Sequence, residues 1–172
     1  GGPTPEALYE SALYHAALLE KFDYANIVIS IKASTVPDMI VANRLLAQKC
    51  PYPLHLGVTE AGGAEMGLVK SSVGIGALLC EGIGDTFRVS LTADPVKEID
   101  AARKIINAVG IDGQCGLQII SCPTCGRTKI DLIDLHTRFE QAVKAERLDN
   151  LPVKVALMGC IVNGPGEARE AD

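Results

Sequence analysis

Two cysteines stand three apart in Cys122-Pro123-Thr124-Cys125, and a third, Cys160, opens the turn Cys160-Ile161-Val162-Asn163-Gly164-Pro165-Gly166-Glu167 after an apolar run. Soft thiolates gathered from two loops are the material of metal sites, provided the loops sit side by side. Three thiolates are one short of the usual four. The spacing differs from the close-packed ferredoxin run that ends in Cys-Pro. An iron–sulfur site here therefore needs a fourth ligand of another kind, or an iron left open to substrate. Glu167, seven residues after Cys160, is the candidate for that ligand.

The residues by themselves leave two other readings open. Zinc, bound structurally, would recruit Cys115 or His136 as a fourth ligand. A thioredoxin-type dithiol would use Cys122 and Cys125, between a strand-like Gly116–Ser121 and a helix, and would need neither Cys160 nor Glu167.

The ordered motifs resemble one family. CPTCGRT at 122–128 and MGCIVNGPGEA at 158–168 resemble the cluster-binding segments of the 4-hydroxy-3-methylbut-2-enyl diphosphate synthases of the non-mevalonate isoprenoid pathway. Upstream, SIKAS at 30–34, HLGVTEAGG at 55–63 and GDTFRVSLTADP at 84–95 extend the resemblance over nearly the whole chain. It implies an iron–sulfur oxidoreductase that opens 2-C-methyl-D-erythritol 2,4-cyclodiphosphate reductively, consuming two electrons and losing a hydroxyl as water. The [4Fe-4S] cluster of the family would be held by Cys122, Cys125 and Cys160, with Glu167 on the fourth iron and Asn163 beside it. The resemblance further implies reduced flavodoxin or ferredoxin as electron donor, and a homodimer in which the cluster domain of one subunit covers the barrel of the other.

The elements that must position these residues follow from the hydrophobic pattern. Thr4-Pro5 caps and starts a helix that runs to about Glu20. Short β-branched or apolar runs at Ile27–Lys32, Leu54–Thr59 and Thr86–Leu91 read as buried parallel strands. Helices from about Pro37 to Lys49, from about Gly67 to Glu81, and from Asp94-Pro95 to Gly110 separate and follow them. The strand starts recur about every 30 residues, the size of one βα unit. A strand to Ser121, an amphipathic helix through Leu132, Leu135, Phe139 and Val143, and a strand at Val153–Met158 continue the pattern. Five alternating units favour an open flavodoxin-like sheet.

The resemblance divides the chain differently. It implies an α/β protein in which residues 1–112 are the last three βα units of a TIM (β/α)8 barrel and residues 113–172 are part of a small α/β iron–sulfur domain, with Ile111-Asp112-Gly113-Gln114 as linker. A closed barrel takes about 250 residues, so the resemblance also implies a C-terminal fragment whose open barrel edge must be covered.

Lys32, Glu60 and Arg88 fall at strand ends, each 28 residues from the next. Carboxyl ends of successive parallel strands converge, and that face hosts active sites. Alternation puts Ser30 with Lys32, and Arg88 with Ser90, whereas Glu60 has the parity of Leu54, Leu56 and Val58 and must project from a loop. Ion pairing at strand ends would use the same residues. The resemblance implies that Lys32, Arg88 and Ser90 hold the substrate diphosphate and that Glu60 lies near the reacting carbons; Arg suits bidentate phosphate recognition and Lys supplies a point charge. His55, opposite Leu54 and Leu56, is a barrel-interior hydrogen-bonding residue or a substrate contact. His15 and His136 read as solvated or packed helix residues. Gly74, Gly76, Gly82 and Gly84 do not fit a dinucleotide loop, and close helix packing accounts for them.

Of the 172 residues, 48% are hydrophobic and 22% charged, which describes a globular chain. A net charge of −5 argues against non-specific nucleic-acid binding. The six cysteines are not needed as staples in a core this apolar, so a reducing, cytoplasmic location is expected. No run reaches the 18 or so apolar residues of a membrane span, and the start lacks a signal-peptide pattern.

Overall fold

The structure, a computed structural model, describes residues 3–111, 116–162 and 164–172. The chain divides into two compact units, Gly1–Ile111 and Asp112–Asp172. The expected linker after Ile111 lies outside the described residues, as do Cys115 and Asn163.

The helices of the first unit begin where their caps dictate. Thr4 Oγ1 accepts the Ala7 amide at 3.2 Å and Pro5 opens α1, Pro5–Glu20. Thr35 caps α2, Val36–Ala47, through the Asp38 amide at 3.3 Å. Then come β1, His55–Leu56, and α3, Ala64–Cys80. Next are β2, Thr86–Phe87, and α4, Pro95–Val109, capped by Asp94 and closed by Gly110 in the left-handed region at φ 75°.

The strands are shorter than the apolar runs suggest. The segment 27–33 forms no continuous strand; it makes isolated parallel bridges, Ile29 with Leu54 and Ala33 with Val58. Between them the ladder is interrupted, and there the buried Asn43 side chain donates to the Ile31 carbonyl at 3.4 Å. β1 pairs in parallel with β2, His55 opposite Thr86 and Leu56 opposite Phe87. Along its other edge, segment 27–33 has no strand partner among the described residues; Val28, 61% exposed, lies on the face shared with Ser30 and Lys32.

Parity decides the faces. Ile27, Ile29 and Ile31 are buried with Leu54, Leu56, Val58 and Val89 against Met39, Leu46, Ile75 and Leu78 of the helix layer. The strands can approach α3 closely because it carries glycines: a Cβ at Gly74 would lie 2.9 Å from Val58 Cγ2. The opposite face presents Ser30, Lys32, His55, Gly57, Thr86, Arg88 and Ser90.

In the second unit β3, Gln118–Ser121, pairs in parallel with β4, Lys154–Leu157, over four residues. The crossover contains α5, Leu132–Ala145, capped by Asp131 through the Asp134 amide at 3.0 Å. After β4 come a one-turn α6, Gly164–Glu167, and a 3₁₀ turn, Ala168–Glu170. Among the described residues the five-stranded flavodoxin-like sheet does not form: β1–β2 and β3–β4 are two-stranded sheets, one in each unit. Alternating patterns show that each strand is followed by a helix, but strand adjacency is set by pairings that a one-dimensional pattern does not contain. No helix among the described residues is long and apolar enough to cross a membrane.

Candidate functional site

In each unit most of the candidate site residues lie at or beyond the carboxyl ends of its parallel strands. In the first unit, extending the observed registers by a residue or two aligns Ser30, His55 and Thr86 in one row and Lys32, Gly57 and Arg88 in the next. Gly57 is what allows the second row. A Cβ there would stand 3.1 Å from the Arg88 carbonyl oxygen and 3.2 Å from Lys32 Cε, so the lysine stem lies across the bare backbone.

Arg88 turns toward the strand end, its Nε and Nη2 donating to Ser90 Oγ at 3.0 and 2.8 Å. This fixes a guanidinium and a hydroxyl as one polar group, with the Lys32 ammonium in the same row. Glu60 lies two residues beyond the Ala33–Val58 bridge, exposed, in the left-handed conformation at φ 54°. The loop therefore presents it, in agreement with its broken parity. A non-glycine residue in that region is uncommon and marks a local constraint.

His55 sits inside this face, its Nδ1 2.8 Å from Thr86 Oγ1. Burial, and then the charges of Lys32 and Arg88, hold its pKa below the usual histidine value. His15 and His136 are surface helix residues: His15 Nδ1 is 2.7 Å from the Ser11 carbonyl, and His136 Nδ1 is 3.9 Å from Glu140.

In the second unit Cys122 directly follows β3, its amide donating to Leu157 of β4 at 3.4 Å. Cys125 to Thr128 form a turn closed from both ends. The Thr128 amide donates to the Cys125 carbonyl at 2.9 Å, and the Cys125 amide donates to Thr128 Oγ1 at 3.1 Å. The backbone amide of Arg127, foremost, with the Arg127 side chain and the Thr128 hydroxyl, lowers the pKa of the exposed Cys125 thiol. The Lys129 amide then donates to the Gly159 carbonyl at 3.0 Å. The residue after Gly159 is Cys160, half-buried, whose carbonyl accepts the Gly164 amide at 3.2 Å at the start of α6. Glu167, exposed, ends that turn.

The backbone thus brings the Cys122–Cys125 loop beside the Cys160 loop. The side chains do not close around a single ion: among the described residues no three His, Cys, Asp or Glu groups gather as a metal site. The zinc alternatives fare differently. His136 shares a groove of about 350 Å³ with Cys122, whereas Cys115 lies outside the described residues. The helix α5 starts only at Leu132, so neither thiol of the Cys-Pro-Thr-Cys turn has a helix N-terminus beneath it, as a dithiol activated by a helix dipole would.

Gly57 and Thr86 join the candidate residues through the strand registers. Thr86 shares the parity of Arg88 and Ser90, a signal that was present. Gly57 needed the inter-strand register.

Residues 1–103 match the family model described as the GcpE TIM-barrel domain, and residues 118–172 that of the GcpE protein C-terminal domain. All 172 residues are 56% identical to a 4-hydroxy-3-methylbut-2-en-1-yl diphosphate synthase (flavodoxin) of Ruminiclostridium cellulolyticum, covering 48% of that protein. Proteins of the same name from Clostridium perfringens and Caldanaerobacter subterraneus are 55% and 56% identical, with 48% and 47% of their lengths covered. The chain spans about half the length of these curated relatives.

Proposed function

The chain belongs to the GcpE family, and on that premise we propose that it carries part of a 4-hydroxy-3-methylbut-2-enyl diphosphate synthase. In this reading residues 1–112 are the last three βα units of the TIM barrel and residues 113–172 the first part of the iron–sulfur domain. The reaction is the two-electron reductive opening of 2-C-methyl-D-erythritol 2,4-cyclodiphosphate, with a hydroxyl leaving as water. Flavodoxin, the donor named for the relatives, or ferredoxin would supply the electrons. The assembly would be a homodimer in the cytoplasm, where thiols stay reduced.

Each residue has a task in this reading. Lys32, Arg88 and Ser90 bind the diphosphate, the guanidinium and hydroxyl as a forked donor and the ammonium as a point charge. Glu60, on its loop beyond these cations, would hold or move a proton near the reacting carbons. Cys122, Cys125 and Cys160 would hold a [4Fe-4S] cluster, with Glu167 on its fourth iron. Asn163, outside the described residues, would hydrogen-bond the substrate. When bound, such a cluster supplies single electrons and a Lewis-acidic iron. The donor set suits it: three soft thiols on two adjacent loops, and a harder carboxylate on an exposed turn that substrate oxygen can displace.

The observation that carries the reading is the Lys129–Gly159 hydrogen bond, which joins the two cysteine loops at neighbouring strand ends. The test is anaerobic reconstitution with iron and sulfide, followed by absorption spectroscopy and analysis for iron, sulfide and zinc. The expected product is brown, with roughly four irons per chain. Cys122→Ser, Cys125→Ser and Cys160→Ser should each lose the iron, while Cys50→Ser and Cys80→Ser should retain it. A colourless chain with one zinc, or an iron content indifferent to Cys160, would overturn the assignment.

A further inference from the structure

The inner face of the first unit contains one ionisable ring to which the assignment above gives no task. His55 is half-buried, and its neighbours are set by the strand registers: Ser30 on one side, Thr86 on the other, and Lys32 and Arg88 in the next row toward the strand ends. Asp85 and Glu60 complete the charged groups of these segments. Asp85 is engaged by the Leu54 amide at 2.8 Å, and Glu60 stands beyond the strand end.

The Nδ1 contact to Thr86 Oγ1, at 2.8 Å, fixes the ring plane and leaves Nε2 as the nitrogen for a ligand. The partner being a hydroxyl matters. A hydroxyl donates to the neutral imidazole and accepts from Nδ1–H of the imidazolium, so both protonation states are satisfied. A carboxylate in its place would favour the charged ring and raise its pKa. Without an anion, burial and the charges of Lys32 and Arg88 oppose a third positive charge here and favour the neutral ring. An anion in this row cancels that repulsion.

We propose that His55 is a further anion-binding residue of this site, with Nε2 meeting a phosphate-type oxygen beside Lys32 and Arg88, and that the ring takes up one proton from solvent when the anion binds. The inference rests on the diphosphate reading of Lys32, Arg88 and Ser90. It adds a proton to the binding equilibrium, so affinity for the anion strengthens as pH falls. By reciprocity, a His55 pKa raised about one unit by the anion means affinity about tenfold tighter at low than at high pH.

The chain has three histidines, so side-chain nitrogen NMR can follow each through a pH titration, with His55→Asn identifying the resonance. Inorganic sulfate is the probe, because it remains a dianion throughout the range in which histidine titrates. The expected result is a His55 pKa below the ordinary value without sulfate and a rise of about one unit at saturation, with His15 and His136 unmoved. Lys32→Met should raise the sulfate-free value and reduce the sulfate response. Saturable sulfate binding that leaves the His55 titration in place would overturn this proposal alone. No saturable binding would remove the anion site itself, and with it the diphosphate reading.

Discussion

The main-chain amide of Lys129 donates to the carbonyl of Gly159 at 3.0 Å, and this bond ties the loop bearing Cys122 and Cys125 to the loop bearing Cys160. The contact is close because Gly159 has no side chain: a Cβ there would lie 2.6 Å from Thr128 Cγ2 and 3.3 Å from Leu132 Cδ2. Gly159→Ala should push the loops apart, destabilise the unit by about 1–3 kcal/mol, and lower the iron retained after reconstitution. Urea unfolding and iron analysis on the same sample check both effects; full iron retention would mean that the loops are not held by this approach.

Gly57→Ala tests the cationic row. The added methyl meets the Arg88 carbonyl at 3.1 Å and Lys32 Cε at 3.2 Å. The lysine end is flexible and can give way, whereas the carbonyl is backbone and cannot do so cheaply. Pyrophosphate affinity should therefore fall several-fold and the thermal midpoint should fall with it, as read by calorimetric titration beside a melting curve. An unchanged affinity would remove Gly57 from the site.

Gly84→Ala should be among the most destabilising substitutions in the first unit. Gly84 has φ 114°, and a Cβ there would lie 2.4 Å from Leu56 Cδ1, whose side chain is fully buried. Conformational strain and overpacking act together, for a loss of roughly 2 kcal/mol or more. Chemical denaturation measures it. Gly82→Ala provides the comparison: it also has positive φ, but nothing lies within 4 Å of its added Cβ, so it should cost less.

The folded-state pKa of His55 is depressed, by burial first and by Lys32 and Arg88 next. The unfolded chain then binds the proton more readily, so this contribution to stability is present above the ordinary histidine value of about 6.5 and is lost as pH falls through the folded value. The wild-type urea midpoint should drop more steeply between about pH 7 and about pH 5 than that of His55→Asn. Parallel pH profiles of the two proteins would show no shift in folded-state pKa.

Much was legible in the sequence because it is local. The caps Thr4 and Asp94, the closing Gly110, and the alternation that separates Ile27, Ile29 and Ile31 from Ser30 and Lys32 depend on neighbours a few residues away. The ordered motifs, CPTCGRT and MGCIVNGPGEA among them, also pointed to the family. Tertiary structure decided what spacing cannot carry. The segment 27–33 makes isolated bridges in place of the strand that its apolar run suggested, with Asn43 donating to the Ile31 carbonyl between them. Registers between strands some 25 or 30 residues apart bring Lys32, Gly57 and Arg88 into one row, and His55 beside Thr86. The Lys129–Gly159 bond sets the two cysteine loops together. These are contacts between distant segments, determined by packing against a shared core, and no local pattern encodes which carbonyl or which bare Cα will lie opposite.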